Sequence, residues 1–308
     1  MALLRFWLHL ELNRMLRGIY TRPCAAEQDD LLLPHPRSMC RADLARIRAS
    51  PENWTVAAKL DGVRALLVLC VFMRRRIVCA VGRRLDVTIL ADSADGASGE
   101  SADGLVVVVD AERADAAYFV HDVFVVARAS DIARRPHAVR MAAVPSAIAE
   151  LDSLGALGAL GVAVHAKPFV PLHHIDEATS TGPCDGLVLA NATAPAVFGS
   201  GEDLLKWKPV SHCTVDLLVE RRRCGAYLSR RASARAKNAR KPLLELELAD
   251  VPGPLPCVWE FRHDGASWRP FKPRNDKNTA NSEYVVAQTE LNIAERIELD
   301  ELRFAVRS

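Results

Sequence analysis

The stretch Thr55-Val-Ala-Ala-Lys59-Leu-Asp61-Gly62-Val-Arg64-Ala-Leu-Leu-Val-Leu69 decides how the chain is interpreted. Short apolar runs that contain β-branched residues lie on either side of an Asp-Gly pair, which is the pattern of two strands joined by a tight turn. Lys59 then stands at the end of the first strand, at the rim of a sheet and among apolar residues. A lysine in such surroundings is a candidate nucleophile. The stretch therefore predicts a hairpin with a reactive lysine beside its turn.

Composition sets the broad class of protein. With 308 residues, 50% of them hydrophobic, the chain is long enough for two globular domains. Its net charge of +2 means that any surface for nucleic acid is local. The eight cysteines contain no Cys-x-x-Cys pair, which argues against zinc and against a disulfide framework and favours a reducing, intracellular compartment.

The first residues are apolar but interrupted by Arg5, His9 and Glu11, so they do not form the continuous core of a signal peptide. They predict an amphipathic helix that packs on the domain, with a membrane or partner contact as the second interpretation. No stretch elsewhere reaches the apolar length of a membrane span. We therefore expect no membrane association.

Strand patterns dominate the middle of the chain, in runs without regular alternation of strand and helix, which favours mixed or antiparallel sheets. Residues 21–37 are predicted to form a Pro-rich loop that leads into a short helix capped near Ser38. A helical segment is expected over about residues 131–154, with a break at Pro145. After Pro209 several short strands separated by turn residues suit a small β-barrel, and Ser282 is a plausible cap for a final helix.

Five charged motifs follow one another in a fixed order. They are Lys59-x-Asp61-Gly62-x-Arg64, Asp110-x-Glu112, Asp185-Gly186, Lys206-x-Lys208 and Arg274-x-Asp276-Lys277. This order resembles the covalent nucleotidyltransferases, the superfamily that contains mRNA capping guanylyltransferases and ATP-dependent polynucleotide ligases. Trp207 between the two lysines, the following Thr214-Val-Asp216 and the leading Trp268 are more similar to capping enzymes than to ligases.

The resemblance implies an α+β fold. It consists of a nucleotidyltransferase domain with mixed or antiparallel sheets, similar to the ATP-grasp-like fold of ligases and capping enzymes, and a C-terminal OB-fold β-barrel. We therefore expect an N-terminal extension over residues 1–33, a GTP-binding nucleotidyltransferase domain over residues 34–210, and an OB-fold domain with a C-terminal helix over residues 211–308.

The resemblance also implies a role for each matching charged residue. The expected catalytic residues are Lys59 as nucleophile, Lys206, Lys208 and Asp276. The expected nucleotide-binding residues are Arg64, Glu112, His121, Lys167, Asp185, Arg274 and Lys277. Glu112 and Asp185 are expected to bind Mg²⁺ or Mn²⁺ as well, because hard cations prefer oxygen ligands. Lys206 and Lys208 are two residues apart on a predicted strand, so they are expected to share a face and meet the α-phosphate together.

Some positions depart from the family pattern. Ala111 stands where glycine is usual, and His121 stands where many members carry an aromatic residue that stacks on the base. Lys167 resembles a family position near guanine, but an ordinary surface lysine is an equal alternative. Residues 221–241 contain nine basic residues and no acid. They suit either contact with RNA or a solvated loop.

These features predict an mRNA guanylyltransferase that forms a lysyl-GMP intermediate from GTP and transfers GMP to a 5′-diphosphate RNA end. The alternatives are an ATP-dependent polynucleotide ligase and an inactive RNA-binding relative. His212-Cys213 lacks the arginine of a phosphatase loop, so the RNA triphosphatase and the cap methyltransferase are expected to be separate proteins. Such an enzyme would act in the nucleus of a cell, or in the infected host cell or virion if it is viral.

Overall fold

The computed structural model describes residues 2–19, 33–82, 85–93, 102–153, 155–180, 184–220, 225–227, 244–245, 256–275 and 277–305. The chain divides into two compact units, the first made of Met1–Arg37 and Ser50–Lys206 and the second of Ser38–Ala49 and Trp207–Ser308. Boundaries were predicted at residues 33 and 210. The grouping of residues 38–49 with the second unit was not predicted. The protein is a mixed α/β structure with three sheets.

The first unit contains a five-stranded and a six-stranded sheet. The five-stranded sheet consists of β1 (Pro34–Ser38), β2 (Trp54–Ala58), β9 (Val170–Pro171), β10 (Leu187–Asn191) and β11 (Gly199–Trp207), in the spatial order β1-β11-β10-β2-β9. The six-stranded sheet consists of β3 (Val63–Phe72), β4 (Arg75–Gly82), β5 (Val87–Ser93), β6 (Gly104–Ala114), β7 (Ala117–Val125) and β8 (Ala163–Ala166), in the order β5-β4-β3-β6-β7-β8. Its neighbouring strands are antiparallel except β7 and β8, which are parallel.

Strand β3 carries the core of the first unit. Its residues 65–72 are each at most 9% exposed, as a strand covered on both faces requires. Even-numbered residues of β3 pack in one cluster with α1 (Ala2–Arg17), and odd-numbered residues pack in another with α4 (Val144–Leu151). The period of two along the strand therefore separates the two sides of the core.

Helix α1 is the amphipathic helix predicted from the sequence. Leu8, Leu12 and Leu16, four residues apart, lie on one face and are buried against the six-stranded sheet. Trp7 and Leu10 lie on the exposed side. No helix in the described part of the chain is long and apolar enough to cross a membrane.

The predicted hairpin at Lys59 is wrong. Strand β2 pairs with β10 and β9, whereas β3 pairs with β4 and β6, so the two strands belong to different sheets. The segment between them crosses from one sheet to the other. At this crossing a Cβ on Gly62 would lie 2.5 Å from the carbonyl oxygen of Arg113. The glycine therefore permits a close approach of two backbones rather than a hairpin turn.

Two predictions about loops and helices need adjustment. Residues 21–37 were expected to form a loop, but Pro34–Ser38 is a strand, and the preceding residues 20–32 lie outside the described part. Its prolines are tolerated because β1 is an edge strand. The following helix is α2 (Arg41–Ala49).

The helical segment predicted near residue 140 consists of three pieces. They are a 3₁₀ helix (Asp131–Arg134), α3 (His137–Ala142) and α4. Pro145 lies in the first turn of α4, where proline is favourable.

The remaining helices of the first unit are short. They are α5 (Ala156–Ala159), α6 (Ile175–Thr179) and the 3₁₀ helices Pro51–Asn53 and Leu172–His174. Helix α6 packs near β2 and β9, with Ile175 and Ala178 buried.

The second unit contains an antiparallel five-stranded sheet in the order β14-β13-β12-β15-β16. Its strands are β12 (Thr214–Glu220), β13 (Gly225–Tyr227), β14 (Leu244–Glu245), β15 (Cys257–His263) and β16 (Trp268–Pro273), and its other elements are a 3₁₀ helix (Val210–His212), α2, α7 (Glu283–Glu295) and α8 (Leu299–Phe304). Ser282 caps α7, as predicted, with Oγ accepting from the amide of Val285 at 3.4 Å. The described strands show no pairing that closes this sheet into a barrel.

Leu12→Ala is expected to lower the free energy of unfolding by about 2–5 kcal/mol, because it leaves a cavity where α1 packs on the sheet. Leu10→Ala is the matched control on the same helix. Since Leu10 is 46% exposed, its truncation should change stability by less than about 0.5 kcal/mol. Denaturant unfolding measures both variants, and equal effects would show that α1 does not pack through the Leu8–Leu12–Leu16 face.

Candidate active site

A cavity of about 150 Å³ lies within the first unit. It is lined by side chains from both sheets and from α3. Its charged and polar lining residues are His35, Lys59, Arg64, Asp110, Glu112, His121, Asp122, His137, Arg140, Lys167, Asn191 and Asp203. Five residues that the resemblance implies as site residues are thus brought to one place, namely Lys59, Arg64, Glu112, His121 and Lys167.

Lys59 and Asp185 meet because β2 and β10 pair. The ladder continues past both strand ends, since the amide of Lys59 donates to Gly186 O (2.9 Å) and the amide of Asp185 donates to Lys59 O (3.0 Å). The Lys59 Nζ consequently lies 3.0 Å from Asp185 Oδ2. The two side chains are 22% and 24% exposed, so this ion pair is open to solvent at the rim of the cavity.

Glu112 and Lys167 form a second pair of opposite charges. The Oε1 of Glu112 accepts from the amide of Gly62 at 3.2 Å, and its Oε2 lies 3.6 Å from Lys167 Nζ. Burial lowers the pKa of the Lys167 ammonium; the charge of Glu112 opposes this effect, and the charge of Lys59 adds to it. Lys167 is only 4% exposed, so its interpretation as an ordinary surface lysine is wrong.

Arg64, whose side chain is 24% exposed, forms an ion pair across β3 and β6 with the fully buried Asp110. Arg64 Nε donates to Asp110 Oδ1 at 2.9 Å, and Nη2 donates to Oδ2. Burial by itself would raise the pKa of Asp110, but the charges of Arg64 and His121 outweigh it and hold that pKa well below its ordinary value. Asp110, placed in a motif with Glu112 but given no role of its own by the sequence, thus anchors the predicted nucleotide-binding arginine.

A further buried ion pair was not predicted. Asp122 accepts from Arg140 Nε at 2.6 Å and from Nη2 at 3.0 Å, and Arg140 Nη1 donates to the carbonyl oxygens of Arg135 and Ala194. Both side chains line the cavity. The only signal in the sequence was a carboxylate inside the apolar run of β7, where burial requires a partner. The identity of that partner, on a helix after the strand, could not be read from the pattern.

The last motif lies in the second unit, where Asp216 holds it. Arg274 Nη1 donates to both carboxylate oxygens of Asp216 at 3.0 and 3.1 Å, and Lys277 Nζ donates to Oδ2. Asn281 fixes Asp216 in turn, since its Oδ1 accepts from the Asp216 amide and its own amide donates to Asp216 O, each at 2.7 Å. Asp276, also predicted to be catalytic, lies outside the described residues.

The predicted lysine pair is divided by the end of a strand. β11 ends at Trp207, so Lys206 belongs to the strand and Lys208 follows it. The expectation that the two lysines share a face stays a prediction, because Lys208 lies only one residue past the end of the strand. Lys206 is not among the described lining residues of the cavity. Trp207 itself is buried, and its Nε1 donates to Ile297 O at 2.8 Å.

The described residues contain no group of three or more His, Cys, Asp or Glu side chains placed to hold a metal ion. The two predicted ligands, Glu112 and Asp185, each lie beside a lysine. Two carboxylates nevertheless fit Mg²⁺, since this ion is commonly held by one or two protein carboxylates together with phosphates of a nucleotide and water. The donor set is therefore compatible with a metal that arrives with a nucleotide.

No family model matches the chain. Among solved structures, it is similar to the ATP-dependent DNA ligase of bacteriophage T7 in complex with ATP, with a TM-score of 0.40 and 10% identity over 78% of this chain and 80% of the ligase. A Lig E DNA ligase gives a TM-score of 0.38 and 12% identity, covering 79% and 98% of the two chains. The Chlorella virus DNA ligase-adenylate gives 0.32 and 13%, covering 65% and 72%.

The chain spans 60% of the length of another similar structure, "Pmar-Lig_PreS3", at a TM-score of 0.39 and 11% identity. These structural neighbours are ligases or carry a ligase label. At such low TM-scores the likeness does not assign an activity to this chain. An assignment of function therefore rests on the geometry of the cavity.

Asp110→Asn is expected to lower the free energy of unfolding near pH 7 by about 1–3 kcal/mol, because Arg64, whose side chain is 24% exposed, then loses its paired carboxylate. Folding lowers the pKa of Asp110, so its contribution is fully present above its unfolded pKa of about 3.9 and is lost as the pH falls below that value. The wild type should therefore lose more stability than the variant between about pH 5 and pH 2.

Denaturant unfolding at a series of pH values measures this difference. Asp131→Asn, at an exposed position, is the matched control and should follow the wild type. Parallel pH profiles for the wild type and Asp110→Asn would contradict the buried ion pair.

Proposed function

We propose that the chain is a nucleotidyltransferase in which Lys59 attacks the α-phosphate of a nucleoside triphosphate. The supporting observation is the Lys59 amine, 3.0 Å from the Asp185 carboxylate at the rim of the cavity. Arg64 and Lys167 supply further positive charge to the same cavity. A triphosphate needs cations around its oxygens and a nucleophile in line with the bond that breaks.

The transfer takes place in two steps. In the first, Nζ of Lys59 forms a bond with the α-phosphorus, the bond to the bridging oxygen breaks, and pyrophosphate leaves. The amine must lose a proton in this step, and Asp185 Oδ2 is an acceptor within hydrogen-bond distance. In the second step an acceptor phosphate oxygen forms a bond with the same phosphorus, the bond from phosphorus to Lys59 Nζ breaks, and the departing amine takes back the proton from Asp185.

Glu112 and Asp185 are the residues that would hold Mg²⁺ or Mn²⁺ in this proposal. The metal would neutralise charge on the phosphates. The Glu112 carboxylate also accepts a hydrogen bond from the amide of Gly62. This bond keeps it beside the segment that contains Lys59 and connects β2 to β3. The proposal assigns Arg274, Lys277, Asp276, Lys206 and Lys208 to the phosphates, as the resemblance implies.

We further propose GTP as the nucleotide and a 5′-diphosphate RNA end as the acceptor, which makes the enzyme an mRNA guanylyltransferase. The supporting observation is the role of Thr214-Val-Asp216, a tail more similar to capping enzymes than to ligases. Its aspartate orients Arg274 and Lys277. The proposal includes an OB-fold for the second unit, and an RNA triphosphatase and a cap methyltransferase as separate partners.

An ATP-dependent polynucleotide ligase is the second candidate. The described contacts of Lys59, Asp185, Glu112 and Lys167 involve the amine and carboxylates rather than a nucleobase. They would serve ATP and GTP equally. The nucleotide used and the acceptor used therefore have to be measured separately.

Incubation with α-labelled GTP and Mg²⁺ is expected to leave an acid-labile label on the denatured wild-type chain, through a phosphoramidate at Lys59. Lys59→Ala should abolish the label because it removes the nucleophile. Lys272→Ala, an exposed lysine of the second unit, is the matched control and should retain it. Label from ATP instead of GTP would favour the ligase, and no label from either nucleotide would contradict nucleotidyl transfer and favour the inactive RNA-binding relative.

The labelled adduct is expected to transfer its nucleotide to RNA with a 5′-diphosphate end, giving a product with a cap structure. RNA with a 5′-monophosphate end is the control and should remain unlabelled, because transfer to it would lack the third phosphate of the cap. Chromatography of nuclease-digested RNA identifies the product. Transfer to the 5′-phosphate at a nick in duplex DNA would overturn the capping assignment in favour of ligation.

A further inference from the structure

Four polar side chains form a continuous series of contacts along the wall of the cavity. His35 Nδ1 lies 3.3 Å from Arg64 Nη1, Arg64 Nε lies 2.9 Å from Asp110 Oδ1, and His121 Nε2 lies 3.2 Å from the same Asp110 oxygen. They come from β1, β3, β6 and β7, and all four line the cavity. Two imidazoles thus bracket one buried ion pair.

The contact with Asp110 determines how the His121 ring is used. An ionised carboxylate only accepts hydrogen bonds, so His121 Nε2 is the donor. The other ring nitrogen is Nδ1. This Nδ1 is buried and has no hydrogen-bond partner among the described residues. The orientation of the ring is therefore maintained at Nε2, by Asp110, and not at Nδ1.

Asp110 transmits this contact to Arg64. Its Oδ1 accepts a hydrogen bond from Arg64 Nε and also contacts His121 Nε2. Its Oδ2 accepts a hydrogen bond from Arg64 Nη2. The guanidinium is planar and binds the carboxylate through two parallel contacts, so a rotation of Asp110 would move it. His121 thus contacts the carboxylate that orients Arg64, and His35 contacts the guanidinium itself.

We propose that His121 is a positioning residue that acts on the nucleotide through Asp110 and Arg64. This inference rests on the proposed nucleotidyl transfer and deepens it. It replaces the role implied by the family resemblance, in which the ring at this position stacks on the base. A phenylalanine there would stack at least as well, but it would remove one of the donors that hold Asp110.

Two variants separate positioning from stacking. His121→Phe keeps a flat aromatic ring and loses the donor, whereas His121→Gln loses the ring and keeps an amide N–H near the position of Nε2. Equilibrium binding of GTP and of ATP is the readout, with His173→Phe, an exposed histidine of the 3₁₀ helix Leu172–His174, as the matched control. We expect His121→Phe to weaken binding about tenfold, as for loss of one hydrogen bond to a charged group, and His121→Gln to stay within about threefold of the wild type. The reverse order would overturn the proposal.

A double-mutant cycle with Arg64→Lys tests whether His121 acts through Arg64. Lysine keeps the positive charge beside Asp110 but loses the planar fork. In that background His121→Phe should weaken nucleotide binding by less than about twofold, because the oriented guanidinium is already absent. A full tenfold effect in both backgrounds would show that His121 acts independently of Arg64 and would overturn the proposal.

The wild-type protein gives a test that needs no folded variant. The ¹⁵N chemical shifts of the His121 imidazole should report a proton on Nε2, and a proton on Nδ1 alone would overturn the proposal. Binding and covalent transfer are scored separately. If the variants bind nucleotide in the expected order but the wild type forms no lysyl adduct, the transfer reaction alone is overturned. If the wild type forms the adduct but His121→Gln binds nucleotide more weakly than His121→Phe, the positioning role alone is overturned.

Discussion

A carboxylate with no exposure to water, Asp110, lies inside the six-stranded sheet of the first unit, and the charges around it keep it ionised. An unpaired charge at such a place would cost several kcal/mol. Arg64 on the neighbouring strand compensates it. Burial would lower the pKa of the Arg64 guanidinium, but the charge of Asp110 outweighs this and raises it, so each partner stabilises the charged form of the other. Asp122 and Arg140 repeat this solution one strand further on.

The same electrostatic rule distinguishes the two lysines of the cavity. Lys59 and Lys167 are each near a carboxylate, but the Lys59 side chain is 22% exposed and that of Lys167 only 4%. The Lys59 amine is therefore open to solvent at the rim of the cavity, whereas Lys167 is a buried charge in the wall beside Glu112. Exposure, and not the residue type, separates a candidate nucleophile from a supporting cation.

In the second unit a nearly buried carboxylate again orients cations. Asp216 is 5% exposed, and both its backbone groups and its side chain are engaged. Asn281 pairs with its amide and carbonyl, while Arg274 and Lys277 donate to its carboxylate. The order of motifs along the chain thus corresponds to a local structure in which Thr214-Val-Asp216 and the last motif form one cluster. In the sequence this tail is only a mark of resemblance, because the residues that it contacts lie 58 to 65 positions further along the chain.

Local patterns were sufficient to predict the strands on either side of Asp61-Gly62, the amphipathic helix α1 and the Ser282 cap, because apolar periodicity and capping depend on neighbouring residues. The family resemblance named Lys59, Arg64, Glu112, His121 and Lys167 as site residues, and the structure places all five around one cavity. Local patterns did not predict the partner of each strand or of each buried charge. Strand β2 pairs with β10 rather than with β3, and the ion pair of Arg140 with Asp122 was not predicted. The amino-acid sequence alone thus determined which segments become strands and which residues carry charge, whereas the tertiary structure decided the pairings, because burial makes each apolar face and each charge require a complement from a distant part of the chain.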